Sequence, residues 1–323
     1  MKIGKMRHLK HNTTAPIDYI DEVIASKRER DDDKDISAER EKCKAKGEPL
    51  PPALTYKERC SEIRRRNEKV INKYGEAFND DNLATVPQGV PVPLNGSQKD
   101  CEDMDGLYAF HSVPMGKLFD EVLSSDGYLN EMCPVCEAVK ATTFDHYLPQ
   151  SAYQLFAVHP LNLIPCCTVC NGRKNSFVFD DKGLRKFWNA YLDDETDEQY
   201  LFCDIGEKKG MPKASFRVEQ GKLPTRYFEI IKQTFDDLKL NKNYMQASGR
   251  EIVRLKNSCC KTFMKNPQRG LDACLQIVAD TIPDVEVNNW VNVLGHALIG
   301  TDIFKRFVLQ ALKQEHGIDL GKV

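Results

Sequence analysis

The residues best equipped for chemistry lie between positions 133 and 174. Cys133-Pro-Val-Cys136 and Cys167-Thr-Val-Cys170 are two Cys-x-x-Cys pairs about thirty residues apart. Two thiolates three positions apart can point at one ion around a tight turn, and two such pairs supply the four sulfurs that suit tetrahedral Zn²⁺. A metal held this way would brace a segment too short to bury much core, so its binding energy is folding energy. Two other readings stay open. Ordinary buried cysteines are one, although two equal spacings in one short window argue against them. A redox dithiol is the other, but the thioredoxin-like context it needs is missing. Cys166 adjoins Cys167 and competes with it as a ligand. Cys167 is preferred because it alone gives the two-residue spacing to Cys170. Cys43, Cys60, Cys101, Cys203, Cys259, Cys260 and Cys274 have no such partner and read as small buried or surface thiols.

The segment between and just after the pairs reads TTFDHYLPQSAYQLFAVHPLNLIPCCTVCNGRKNS. Thr142 to Tyr147 is rich in β-branched and aromatic residues, which predicts a short strand ending at Asp145-His146, with Pro149 stopping it. Leu163 and Ile164 supply a second strand. The residues after Cys170 open a helix that carries Asn171 and Lys174 on neighbouring turns.

This pattern resembles the HNH endonucleases, the ββα-metal nucleases. The matching elements, in order, are Cys133-x-x-Cys136, Asp145-His146, Pro149, Asn162-Leu163, Cys167-x-x-Cys170, Asn171 and Lys174. They span about 45 of the 323 residues. Asn171 stands where many members have His; members with Asn there are common, and the exchange bears on metal preference.

The resemblance implies a role for each residue. His146 is the general base that activates water, since an imidazole titrates near the working pH. Asp145 and Asn171 offer oxygen ligands to one catalytic divalent ion, Mg²⁺ or Mn²⁺, which stabilises charge on the phosphate and the departing 3′ oxygen. Asn162 orients the loop that holds the base. Arg173 and Lys174 are candidates for phosphate contact, with packing as an equal reading for Lys174. His159 reads as a loop histidine bonded to backbone, with a ligand or phosphate role as the alternative. The zinc site and the catalytic ion are expected to be distinct.

The surrounding elements must position these groups. Pro16 suits a first helical position, and Ile17, Ile20 and Ile24 share a face of a helix over 16–28. Residues 27–47 are densely charged, a solvated helix or a flexible arm, ended by Gly47 and the prolines after it. A second helix is predicted over 55–74, with a basic face of Arg64, Arg65, Arg66, Lys69 and Lys73 that is either a DNA-backbone contact or a solvated surface. The uncharged Pro- and Gly-rich stretch 84–98 is the best candidate boundary. Helical patterns follow at 107–125 and 184–191. A hairpin is predicted with strands at 200–205 and 214–219 around a Gly-Met-Pro turn; from 225 onward the chain reads as helical, with Phe228, Ile231, Phe235 and Leu238 on one face and further helices at 250–264, 270–281, 287–299 and 303–316. Trp290, Val291, Val293 and Leu294 read as core or as a partner surface. The expected architecture is α+β and mostly α, a small ββα-metal core with structural zinc between helical regions. Its parts are a charged helical arm at 1–84, a linker and helix at 85–126, the nuclease core at 127–180, and a hairpin with a helical region at 181–323.

Composition narrows the setting. Lys and Arg number 46 against 48 Asp and Glu, a formal net charge of -2, so this is no uniformly basic nucleic-acid coat, although a local basic face can hide in a neutral total. No run approaches the roughly 20 apolar residues of a membrane helix. Met1 to Lys10 is basic with no apolar stretch after it, which predicts no secretory signal and a reducing cytoplasmic setting. The leading expectation is a metal-dependent endonuclease acting on DNA, with RNA a lesser candidate. The arm Met6 to Pro16 and the run FDHYLPQSAYQLFAVHPLNLIPCCTVCN are also similar to HNH subunits of Septu-type anti-phage systems. That resemblance implies a co-encoded ATPase partner. No GxxxxGK[ST] motif occurs here, so ATP use would belong to the partner. The competing expectation is a zinc-knuckle module that binds nucleic acid or protein without catalysis.

Overall fold

The computed structural model describes residues 9, 15–79, 81–124, 130–194, 196–282 and 287–321. Most of the arm from Met6 to Pro16 and the start of the expected core at 127–129 lie outside the described residues. The fold is α+β and mostly helical, with two small two-stranded sheets. The chain divides into two units, one of residues 9–131 and 140–193, the other of 132–139 and the chain from 194 onward.

The first unit opens with α1 (Pro16–Ser26), where Pro16 sits at the first helical position and Tyr19, Ile20, Val23 and Ile24 are buried. The charged run is a helix, α2 (Asp31–Lys46), stopped by Gly47 in the left-handed conformation at φ 68°. The region expected as one helix over 55–74 is three: α3 (Tyr56–Arg66), α4 (Glu68–Asn72) and α5 (Tyr74–Asn79). Thr55 starts α3 with a reciprocal cap, its side chain accepting from Glu58 N–H while Glu58 accepts from Thr55 N–H. The break falls at Asn67, which is fully buried. Its amide donates to Val92 O and accepts from Val92 N–H, both at 3.0 Å. A side chain committed to a distant loop on both sides fixes the backbone there and interrupts the ladder.

Arg64 pairs with Asp21 and Glu68, and Arg65 and Arg66 both pair with Glu62. Most of the basic face is thus neutralised within the unit. Next come α6 (Ser97–Asp105) and α7 (Val113–Leu123), the latter admitting Pro114 in its first turn. The Pro- and Gly-rich stretch 84–98 runs inside this unit.

The candidate site rests on β1 (Thr143–His146), β2 (Leu163–Cys166) and α8 (Thr168–Lys174). The strands are antiparallel, with Asp145 opposite Ile164 and His146 opposite Leu163. Residues 184–191, expected to be helical, form an irregular strap instead. Asn189 accepts from Tyr191 N–H and Leu192 N–H, and Lys186 N–H donates to Val178 O. These bonds, with the buried Arg185–Asp193 pair, use the groups a helix would need. The strap holds β2 in place through Tyr191, whose hydroxyl donates to Leu163 O at 2.7 Å.

The second unit contains β3 (Leu201–Lys208), β4 (Met211–Val218), α9 (Thr225–Asp237), α10 (Leu240–Lys265), α11 (Leu271–Ala279), α12 (Trp290–Ile299) and α13 (Asp302–His316). The two strands of the hairpin reach closer to its tip than expected, and the chain turns at Lys209-Gly210, not at Gly-Met-Pro. Both turn residues have positive φ, 53° and 76°, which matches the twist of the strands. Met211 and Pro212 lie in β4. Trp290 is core: it stacks on Tyr244 with centroids 5.7 Å apart and planes 9° apart.

Candidate active site and metal centre

Cys133, Cys136, Cys167 and Cys170 are buried, and their sulfurs all lie within 4.8 Å of one another. A tetrahedron with Zn–S bonds of about 2.3 Å spaces its sulfurs about 3.8 Å apart, so the spread is the size of one ion. The cluster could hold a structural metal ion such as zinc. Cys166 is buried too but does not belong to it. Local backbone shapes both pairs. Glu137 N–H bonds Cys133 O at 2.8 Å, and Glu137 takes a left-handed φ of 46°, which lets the chain curl around its sulfurs. Trp290 Nε1 donates to Glu137 O at 3.2 Å and holds that turn. At the other pair, Cys167 caps α8, its Sγ accepting from Cys170 N–H at 3.4 Å. A backbone donor aimed at sulfur favours the thiolate, the form a metal needs.

Beside β1 and α8 lies an open cleft of about 430 Å³. Asp145 and His146 border it from the end of β1, and Asn171 from the first turns of α8. Asn171 Nδ2 donates to Phe144 O at 3.1 Å, tying the helix to the strand and orienting the amide oxygen away from that carbonyl. His146 Nε2 lies 2.9 Å from Ala157 O. A carbonyl only accepts, so Nε2 carries the proton and Nδ1 is left as the basic nitrogen. Burial pushes the imidazole below its ordinary value, against the opposing pull of Ala157 O and Asp145. Tyr108 meets the ring edge-on, with centroids 4.5 Å apart. Sequence reasoning missed Tyr108, because no spacing links a residue on that loop to a strand nearly forty positions on.

Asn162 is wholly buried and saturated. Its Oδ1 accepts from Leu148 N–H at 2.7 Å and the Tyr74 hydroxyl at 3.0 Å. Its Nδ2 donates to Leu148 O and Phe156 O, each at 3.1 Å. One side chain thereby clamps both ends of the loop that follows His146.

Lys174 is buried with its ammonium bonded to Asp145 Oδ1 at 3.0 Å, His146 O at 2.9 Å and Tyr147 O at 3.1 Å. Three donors meet three oxygens, which leaves none for a phosphate. Lys174 therefore enters the site as an internal cation under the Asp145-His146 corner. Arg173 is half-buried on α8 and does not line the cleft. His159 is buried against Tyr74, with centroids 4.7 Å apart, and also stands outside the cleft.

The donors suit a hard cation in part. Asp145 keeps one carboxylate oxygen outside its bond to Lys174, and Asn171 presents a neutral amide oxygen. Lys174 cancels the charge of Asp145, so a divalent ion would be held weakly until phosphate oxygens joined it.

Comparison with known proteins shows similarity to Protein ea31 of Escherichia phage lambda, 28% identical over 299 aligned residues that cover 80% of this chain and 98% of that protein. No family model and no solved structure matches the chain. No helix is long and apolar enough to cross a membrane among the described residues.

Proposed function

We propose that this protein is a metal-dependent endonuclease of the HNH kind that hydrolyses phosphodiester bonds in DNA. The observation that carries the reading is the convergence of Asp145, His146 and Asn171 on one cleft, with His146 held as the tautomer that leaves Nδ1 basic. The order strand, strand, helix, with a four-cysteine cluster at the helix start, supports it.

The chain's own groups divide the work. His146 Nδ1 takes a proton from a water in the cleft. As that oxygen bonds to phosphorus, the bond from phosphorus to the 3′ oxygen breaks, and the leaving oxygen takes its proton from solvent. Ala157 O steadies the imidazolium that forms, through Nε2. Asn162 keeps the loop carrying that carbonyl in place. Asp145 and Asn171 would hold a Mg²⁺ or Mn²⁺ ion, which supplies charge stabilisation on the phosphate when bound. The cysteines would hold zinc as a brace.

Lys174 favours a second reading. Its ion pair with Asp145 is what a structural network would build, and it fits a zinc-knuckle module that binds nucleic acid or protein without cutting. The setting proposed with the nuclease is anti-phage defence beside an ATPase partner, supported by the likeness to Septu-type HNH subunits.

Supercoiled plasmid, linear DNA and RNA are to be incubated with zinc-loaded wild type and His146→Ala, with Mg²⁺ or Mn²⁺ and with EDTA. Metal-dependent nicking of DNA that disappears in His146→Ala is the expected result. A folded, zinc-loaded wild type that cuts nothing, alone or with a co-encoded ATPase recovered by pull-down, would favour the binding module.

A further inference from the structure

Phe177 is an exposed aromatic side chain, 66% accessible, and it stands three residues past the end of α8. The preceding residues Asn175 and Ser176 line the cleft that holds Asp145 and His146. Its position is built. Phe177 N–H bonds Lys174 O at 3.2 Å, closing a four-residue turn. Asn175, second in that turn, has φ 48° and ψ -135°, a conformation that normally calls for glycine. Strain of this kind persists only where surrounding structure enforces it, and it concentrates at sites that act. Lys174, the first residue of the turn, is itself fixed by its buried, bonded ammonium. The result is a phenyl ring held in solvent on the residue that directly follows two lining residues of a polar cleft.

We infer that Phe177 is a stacking platform for a nucleobase, and that the site takes nucleic acid with an unpaired base beside the bond to be cut. The inference rests on the nuclease reading and names its substrate class. Two physical arguments support it. No Lys or Arg lines the cleft among the described residues, so charge on the phosphates contributes little of the local grip. Stacking supplies affinity without charge, and it tolerates any base because every base has a π-face. A paired duplex would have to open a base step before one ring could enter, and a single stacking contact does not outweigh that cost. A base already unpaired offers its face freely.

The test uses full-length, zinc-loaded protein and two labelled DNAs of one sequence, a perfect duplex and the same duplex with a short central bubble carrying 2-aminopurine. Binding is measured in EDTA-free buffer without added magnesium, for wild type, Phe177→Ala, Phe177→Trp and, as an exposed apolar control, Leu50→Ala. Wild type and Leu50→Ala should prefer the bubble and quench 2-aminopurine. Phe177→Ala should bind the bubble roughly tenfold more weakly, lose the quench and bind the duplex unchanged. Phe177→Trp should restore both. Equal bubble affinity and equal quenching in wild type and Phe177→Ala would overturn the inference. Cleavage of the same DNAs separates the two failures. Cutting that needs His146 but ignores Phe177 removes the platform and leaves the nuclease standing. Neither cutting nor bubble binding by wild type removes both.

Discussion

Replacing Lys174 should destabilise the protein far more than replacing its partner Asp145. Both side chains are nearly inaccessible, 6% and 8% exposed, so solvent cannot take over for a missing partner. In Lys174→Met the volume is kept but the ammonium that donates to all three oxygens is lost. Asp145 Oδ1, His146 O and Tyr147 O then face one another as acceptors, with a charge among them. Breaking a buried pair from one side costs about 3–5 kcal/mol. In Asp145→Asn the ammonium keeps both carbonyls and gains an amide oxygen in place of the carboxylate. That loss should be about 1–2 kcal/mol, the difference between a charged and a neutral hydrogen bond. The double variant should cost less than the sum of the singles by 1 kcal/mol or more, since residues in direct contact do not add (about 0.5–3 kcal/mol of coupling is usual). Urea denaturation followed by circular dichroism, in zinc-containing buffer without magnesium, measures all four proteins. Equal costs for the two singles, or additive behaviour in the double, would refute the picture of Lys174 as the cation that holds this corner together.

Three further outcomes follow from the same geometry. Cys133→Ser and Cys170→Ser should each lose bound zinc and unfold by denaturant at lower concentration, whereas Cys166→Ser should retain its zinc, as read by elemental analysis of the purified proteins; zinc loss in Cys166→Ser would misassign the cluster. Asn162→Ala orphans Leu148 N–H, Leu148 O and the Tyr74 hydroxyl, while Phe156 O keeps a bond from His159 N–H; at about 1 kcal/mol or more each, the loss should be about 3 kcal/mol, and a loss below about 1 kcal/mol would mean the loop is held by something else. Burial holds His146 below its ordinary value of about 6.5, so its neutral form should survive at pH where a free histidine is charged, and cleavage should stay level as pH falls past that value before it declines. The linkage has the matching sign: the unfolded chain takes up the proton first, so His146 costs stability only as pH falls below about 6.5, and a denaturation midpoint that rose there in wild type relative to His146→Ala would contradict it.

What was legible in the sequence is what short spacings encode. Cys-x-x-Cys brings two sulfurs together around one turn wherever it occurs, and so the choice of Cys167 over Cys166 was readable before any coordinates. The strand ending at Asp145-His146, the helix starting at Pro16 and the stop at Gly47 follow from β-branching, a fixed φ and a missing Cβ, all properties of a few adjacent residues. Even the hairpin is visible, and only its turn differs, because Lys209-Gly210 carries a weaker signal than Gly-Met-Pro.

Tertiary structure decided the rest, for one physical reason: a polar side chain chooses its partner by distance in space. Asn67 ends a helix because Val92 comes within 3.0 Å, and nothing in residues 55–74 announces that. The strap at 184–191 leaves its helical pattern because Asn189 and Asp193 bond the backbone first. Lys174 reads equally as a phosphate contact or as packing in the sequence, and only its ammonium beside Asp145 decides between them; Phe177 carries no sequence signal, and the turn at Asn175 leaves it in solvent next to two lining residues of the cleft. Residue types and intervals named the chemistry that could occur; burial and long-range hydrogen bonds determined which of those groups are spent on holding the fold and which face the cleft.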